Sequence, residues 1–437
     1  MCLIYYFFYI NMAVECKEHH MGSLWTEVGL LHQEQNLAPD AVVARSVVAR
    51  LIADGTDTTR TDLVKATGLA RSTVENHLSV LLDHDLIEDA GLGPQSSRGR
   101  PAQAFRISAS KGVILVADVS TRTTRLAVTT LDKQIVARDE LSMSVDDGPD
   151  QLLGAIDKAF ESMLANNALT GKDALVISIG LPGPVDAKLG MAVRPPLMPG
   201  WDGVGVCGYF AQRFGCDVIV DNDVNLMALG EARSYRGQFL PLLMISIGTG
   251  IGGGFVSESG LLLHGADGAA ADIGHNKVSV MRDSLCRCGN HGCLEAVASL
   301  GAMAERVSRL RNTQVSEGEL IDLLVRGDPT TVSVVRESAT IVGQAVADLV
   351  NFCNPARIVL AGAITQCTED VLAQIRSVVY QQAQPLATRN LSLVHSELGN
   401  DAGLIGGMIS GIEQVLSPRG IAYHTRPLDS TMLPLGL

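Results

Sequence analysis

Three cysteines crowd into CRCGNHGC, as Cys286, Cys288 and Cys293, and His275 lies upstream of them. One imidazole and three thiolates are the donors of a closed tetrahedral zinc site with no position left for water, so the ion they hold is structural. The remaining cysteines of the nine are scattered, which is a poor disulfide framework and fits a reducing cytoplasm. A second stretch, ISIGTGIGGGF (245–255), sets Gly248, Thr249 and Gly250 in a turn whose bare backbone N–H groups can hold phosphate, although such glycines also serve close strand packing. A third, ARSTVENHLSVLLDHDL (70–86), gathers Arg71, Ser72, Thr73 and Asn76 at the start of a helix, and Arg and Asn there can read base edges.

The elements that must position these groups follow from spacing. DAVVARSVVARLIADG (40–55) carries Val42, Val43, Val47, Val48 and Leu51 at helical intervals and stops at Gly55. In TTRTDLVKATG, Thr59 and Asp62 form a capping-box pair ahead of Leu63 and Val64, and Gly68 ends a short helix. The next helix has a core stripe of Val74, Leu78, Leu81 and Leu82, which turns Arg71, Ser72, Thr73, Glu75, Asn76 and Ser79 outward. After it come a strand, a Gly/Ser/Pro-rich loop and a second strand, in LIEDAGLGPQSSRGRPAQAFRIS. Residues 39–109 therefore read as a winged helix-turn-helix with operator DNA as its partner, in which Arg98 and Arg100 of the wing reach phosphates or a narrow minor groove. The alternative is a three-helix bundle for protein contacts with a solvated arginine loop. From residue 110 apolar strands alternate with helical patterns, the mark of an α/β architecture.

ADIGHNKVSVMRDSLCRCGNHGCLE (271–295) resembles, almost residue for residue, the signature of the ROK family of repressors, open reading frames and sugar kinases. The resemblance implies a two-lobed actin-like ATPase fold with a sugar cleft between its lobes. Lobe 1 would be residues 110–230, rejoined by a helix at 401–417; lobe 2 would be 231–400 with the zinc motif, and 418–437 would be a tail. It also implies that zinc-bound His275 offers its other ring N–H to a sugar hydroxyl and that Glu295 accepts from the ring hydroxyls. Asp272 stands where the family usually has glutamate, a shorter carboxylate that would change the sugar preferred. VIVDNDVNLMALGE (218–231) resembles the second sugar motif, with Asn222 bonding hydroxyls and Asp223 as the general base of a kinase. GLPGPVD (180–186) and PPLMPGW (195–201) resemble loops that close over the sugar.

The nucleotide side departs from that pattern. Kinases of the family carry an Asp-x-Gly-Gly-Thr-Lys loop at the first strand; here it is DVSTRT, in which Asp118 remains while Ser120 and Thr121 replace the glycines. Side chains occupy positions where backbone must approach phosphate. Ala361, Gly362 and Ala363 stand where kinases show a Gly-Gly-Gly-like adenosine turn. What remains of a phosphate site is Asp118 with Gly248, Thr249 and Gly250.

These features lead to the expectation of a repressor of carbohydrate metabolism that answers to a sugar or sugar phosphate and binds a palindromic operator as a homodimer or homotetramer. The alternative is a glucokinase-type enzyme using ATP and Mg, with Asp223 as base; a third is a protein-interaction scaffold. A net charge of −13 excludes a chain that coats nucleic acid along its whole surface. CLIYYFFYI near the N-terminus is about half a membrane span and lacks a basic flank, so residues 1–38 are expected to be a disordered or mis-started tail, with Met12 or Met21 as other beginnings, and no membrane partner is expected.

Overall fold

The computed structural model describes residues 40–55, 58–92 and 102–426. The chain opens with α1 (Asp40–Asp54), β1 (Thr58–Thr59), α2 (Arg60–Thr67), α3 (Arg71–Asp83), β2 (Ile87–Leu92) and β3 (Gln103–Ile107), and β1 and β2 flank β3 in one antiparallel sheet. The Thr59 hydroxyl accepts from the Asp62 N–H while the Asp62 carboxylate accepts from the Thr59 N–H, which satisfies two free donors at the start of α2. Gly68, at φ 66°, ends that helix in the left-handed region. In α3, Val74, Leu78 and Leu81 are buried and Leu82 is half-buried, and His77, outside the expected stripe, joins them in the core with neither ring nitrogen hydrogen-bonded. Arg98 and Arg100 lie outside the described residues.

Five strands form the sheet of lobe 1 in the order β10 (Asp217–Asn222), β7 (Ala174–Leu181), β4 (Val113–Val119), β5 (Thr124–Thr130), β6 (Ile135–Leu141). The β4–β5 and β5–β6 pairs are hairpins, whereas β7 and β10 run parallel to β4 and need helical crossovers, supplied by α4 (Pro149–Asn166) and α5 (Val206–Phe214). A continuous apolar run suits a central strand covered on both faces, and every residue of β4 is buried. Beyond β7 lies a small ribbon of β8 (Val185–Asp186) and β9 (Met191–Ala192).

Helix α6 (Asp223–Ser234) leads into lobe 2, a four-stranded sheet in the order β12 (Ile251–Val256), β11 (Leu242–Ile247), β13 (Arg357–Ala361), β14 (Ser392–His395). Around it lie α7 (Leu294–Ala298), α8 (Leu300–Arg311), α9 (Glu317–Val325), α10 (Pro329–Cys353), α11 (Ala363–Gln366), α12 (Glu369–Gln382) and α13 (Pro385–Thr388). The chain then returns to lobe 1 through α14 (Ala402–Val415), which packs on α6 and on β4 and β7. Small residues allow that approach. A Cβ on Gly406 would lie 1.8 Å from the Leu226 carbonyl oxygen of α6, and one on Gly407 2.4 Å from Val116 of β4.

Residues 418–424 are not a tail: they form α15 (Pro418–His424), packed on α1. Pro418 presets the first turn, the Ser417 hydroxyl accepts from the Gly420 N–H, and Ile421 is fully buried. A seven-residue helix with one deeply buried anchor is too short to produce a readable apolar period. The Ser46 hydroxyl of α1 donates to the Leu416 carbonyl at 2.5 Å, and Arg45 donates to the Thr425 hydroxyl at 3.1 Å. One hydrophobic core therefore runs from Val48, Leu63 and Phe105 of the N-terminal head through Ile114 and Val176 of lobe 1 to Met408, Ile412 and Ile421. Among the described residues no helix is long and apolar enough to cross a membrane.

Candidate ligand cleft and metal centre

His275, Cys286, Cys288 and Cys293 come together with their ligand atoms all within 4.8 Å of one another. The Cys286 sulfur is 3.7 Å from His275 Nδ1, and the Cys288 and Cys293 sulfurs are 3.7 Å apart. Zinc bonds of about 2.3 Å to sulfur and about 2.0–2.1 Å to nitrogen require tetrahedral edges of about 3.6–3.8 Å, which these two edges meet, and the chemistry of one imidazole and three thiols suits that ion. Backbone pairing creates the cluster: Lys277 bridges to Cys293, Leu285 bridges to His291, and the Leu294 and Glu295 N–H groups donate to the Asn276 and Gly274 carbonyls. Those last two bonds bring Glu295 back beside His275. His275 turns Nδ1 toward the Cys286 sulfur, so an ion held there by Nδ1 would leave Nε2 for another partner.

Glu295 is buried; its Oε2 accepts from the Ile251 N–H at 3.3 Å, and Cys286 faces its Oε1 at 3.8 Å. Asp272 is exposed on the same loop, close enough to raise the Glu295 pKa, although burial is the larger cause. From lobe 1, Leu197 of the 195–201 loop meets Glu295 across Gly250, where a Cβ would lie 2.5 Å from Glu295 Oε2 and 2.9 Å from Leu197 Cδ1. Gly250 is one point at which the two lobes touch.

Asn222 has a structural role that its sequence context did not disclose. Its Oδ1 accepts from the Val224 and Asn225 N–H groups at 2.9 and 3.1 Å, capping α6, and its amide donates to the Gly183 carbonyl at 3.0 Å. Next to it, Asp221 Oδ2 pairs with His264 Nε2 at 2.7 Å, and Asp221 Oδ1 accepts from the Asn225 amide at 2.9 Å. His264 belongs to the loop after β12, so this pair joins the lobes; its hydrogen bond to Asp221 raises the imidazole pKa against the effect of burial. Neither partner stands in a spacing that sequence alone could have singled out.

Asp118 and Asp223 face one another beside Gly180, where a Cβ would lie 3.4 Å from the Asp223 Cα and 3.7 Å from Asp118 Oδ1. The Asp118 carboxylate also rests on the first turn of α14, 2.4 Å from where a Cβ of Gly403 would be. Burial pushes Asp118 up to about 6, against the pull of Arg125. Burial and the Asp118 charge push Asp223 up to about 8. Both values lie above the ordinary 3.8, so the folded chain holds protons that the unfolded chain has released, and stability falls as pH rises from about 4 through 8. Asp223→Asn removes the larger part of this effect. Its Tm is expected to exceed that of the parent by about 3 °C or more at pH 8.5 and to match it near pH 4; parallel melting profiles across that range would contradict the assignment.

The two loops expected from sequence to face phosphate meet through side chains. Thr121 of lobe 1 donates to the Thr249 hydroxyl at 3.3 Å, Thr249 donates to Glu317 Oε2 at 3.1 Å, and Arg122 reaches the same oxygen at 3.6 Å. Gly248 and Gly250 close the turn between β11 and β12, with the Gly248 N–H donating to the Gly250 carbonyl. Glu317, at the start of α9, was not expected from sequence.

On the head, Arg71, Ser72 and Asn76 are exposed at the N-terminal half of α3, Thr73 is half-buried, and Glu75 pairs with Arg60 of α2.

A model of the ROK family matches residues 116–411. A glucokinase of Halalkalibacterium halodurans is 32% identical over 306 residues, covering 66% of this chain and 92% of its own. A xylose repressor of Caldicellulosiruptor bescii is 25% identical over 389 residues, covering 86% of this chain and 96% of its own. A solved ROK family transcriptional regulator, described as a homologue of the E. coli Mlc protein, superposes with a TM-score of 0.75 at 25% identity over 88% of this chain and 98% of that one. The match to the repressor is too long to be confined to the ROK region, whereas the match to the glucokinase has about that region's length.

Proposed function

Since the chain belongs to the ROK family, we propose that it is a sugar-responsive DNA-binding regulator, a repressor of carbohydrate metabolism, in which a zinc-ordered cleft senses a sugar or sugar phosphate. The observation that carries this is α14. Its first turn lies against the Asp118 carboxylate beside the cleft, and its other end meets the head, where Arg50 of α1 donates to the Glu413 carbonyl at 3.5 Å and Ser46 to that of Leu416. A ligand that prefers one closure of the lobes thereby has a rigid path to the head. Glu413 is also held by Arg233 of α6 at 2.6 Å, and Arg233 donates to Gly260 of lobe 2, so both lobes act on the same helix.

In this scheme His275, Cys286, Cys288 and Cys293 hold zinc, which supplies order to the loop. His275 Nε2, Glu295 and Asp272 address sugar hydroxyls, with Asp223 opposite; Asn222 contributes at most the free N–H of its amide. The recognition helix α3 enters the major groove with Arg71, Ser72, Thr73 and Asn76, and a two-fold dimer presents two such helices to a palindromic operator. Arg98 and Arg100 add phosphate or minor-groove contacts.

Binding of the full chain to DNA from its own upstream region, followed by fluorescence anisotropy across a panel of free and phosphorylated sugars, tests the proposal. One sugar class is expected to change the affinity at least tenfold. Arg71→Ala and Asn76→Ala are each expected to weaken specific binding by about 1–3 kcal/mol while leaving the sugar-induced thermal shift intact. Sugar-dependent ATP turnover that Asp223→Asn abolishes would replace the regulator with a kinase using ATP and Mg.

A further inference from the structure

We infer that Glu317 occupies the phosphate cradle of this fold and so determines that the cleft takes sugar without a nucleotide. The surroundings of its carboxylate are those of an anion site. Oε2 accepts from the Thr249 hydroxyl at 3.1 Å and faces Arg122 at 3.6 Å, with the Thr121 hydroxyl one bond further along the chain of donors. Oε1 lies 3.2 Å from where a Cβ of Gly301 would be, in the first turn of the twelve-residue helix α8, whose positive dipole end favours negative charge. The hydroxyl of the Gly-rich turn, relayed from Thr121, a guanidinium and the N-terminal turn of a helix thus surround one carboxylate, and that carboxylate is the protein's own.

The carboxylate is well placed to stay there. Its side chain is only 14% exposed, whereas Arg122 is 66% exposed and bonds it from the opposite lobe. Glu317 is the first residue of α9, a helix anchored by the reciprocal Ser316–Glu319 capping box, so its backbone is fixed. A nucleoside triphosphate entering this cradle must displace the carboxylate from Thr249 and Arg122 or lie against it as a like charge, and either course opposes binding. The sugar side, formed by His275 and Glu295, is untouched by this contact. The inference rests on the regulator reading in naming the ligands taken and excluded; the contacts of Glu317 stand apart from that reading.

Isothermal titration of the zinc-loaded full chain with inorganic tripolyphosphate, with and without Mg²⁺, tests it. The parent chain is expected to show no binding at millimolar tripolyphosphate. Glu317→Ala and the near-isosteric Glu317→Gln are expected to bind it at least tenfold more tightly than the parent, and adding Thr249→Val should reverse the gain. Binding by the parent under either condition, or no gain in a folded Glu317→Gln chain, overturns the inference. Operator binding and its sugar response, measured on the same samples, distinguish failure of this inference from failure of the regulator proposal: the first leaves the parent's sugar response intact, the second abolishes it or replaces it with ATP turnover.

Discussion

Gly406→Ala is expected to destabilise the chain by about 3 kcal/mol or more and to uncouple the sugar cleft from the DNA-binding head. The added Cβ would fall 1.8 Å from the Leu226 carbonyl oxygen and 2.4 Å from its carbonyl carbon, both backbone atoms of α6 that no rotamer change can move. Relief requires α14 to withdraw from α6, and withdrawal loosens its contacts with Val116 and Ile114 at Gly407 and Gly411. Overpacking in a rigid core costs about 1–3 kcal/mol, and more where backbone is the obstacle. A matched control exists in α9: Gly318 is exposed with open space around its Cα, and Gly318→Ala is expected to be neutral or stabilising by up to about 1 kcal/mol through helix propensity. Thermal and urea unfolding of both variants would check the pair. Equal effects would mean that α14 is not held against α6 as described.

Loss of the metal is expected to have the largest effect on ligand response. Residues 276–293 contain no helix or ladder strand, only the isolated bridges at Lys277 and Leu285, and Val280, Met281 and Leu285 are exposed, so this loop has little apolar burial to hold it. Yet it fixes both His275 and Glu295 in the cleft. A bound ion would add four bonds to the backbone pairing that shapes this loop, and structural zinc typically contributes on the order of 10 kcal/mol to the fold of the segment it closes. Chelation, or Cys293→Ser at a fully buried ligand, is expected to abolish the sugar-induced thermal shift and weaken sugar binding at least a hundredfold. Operator affinity should change much less, because the head's core lies elsewhere. Elemental analysis should give one zinc per chain in the parent and none in the variant. An unchanged sugar affinity after complete metal removal would overturn the structural role.

Much of the molecule could be read in advance because local chemistry and global fold agree in it. The capping box of Thr59 and Asp62, the left-handed Gly68 and the outward face of α3 each follow from rules that act within one turn of helix. The grouping of His275, Cys286, Cys288 and Cys293 was legible because their side-chain types have few other reasons to cluster. The departures are of two kinds, contacts between distant segments and polar side chains with a local structural role. Glu317 meets Thr249 across 68 positions, His264 meets Asp221 across 43, and no periodicity links such pairs. His77 was passed over because an imidazole does not look apolar, although its place between Val74 and Leu81 on α3 is a core position. Asn222 was assigned to the ligand, whereas its carbonyl oxygen caps α6: an Asn before a helix serves either purpose, and only the hydrogen bonds decide between them.

The packing of α15 on α1 also sets an order of events during synthesis. Helix α1 is among the first described elements to leave the ribosome, but Leu416, whose carbonyl receives the Ser46 hydroxyl, and Ile421, which completes the same core, are translated more than three hundred residues later. At about 5–20 residues per second the nascent head waits roughly 20–75 s with part of its apolar surface uncovered. Translation halted within α15 would thus leave a product impaired in the head rather than in the cleft.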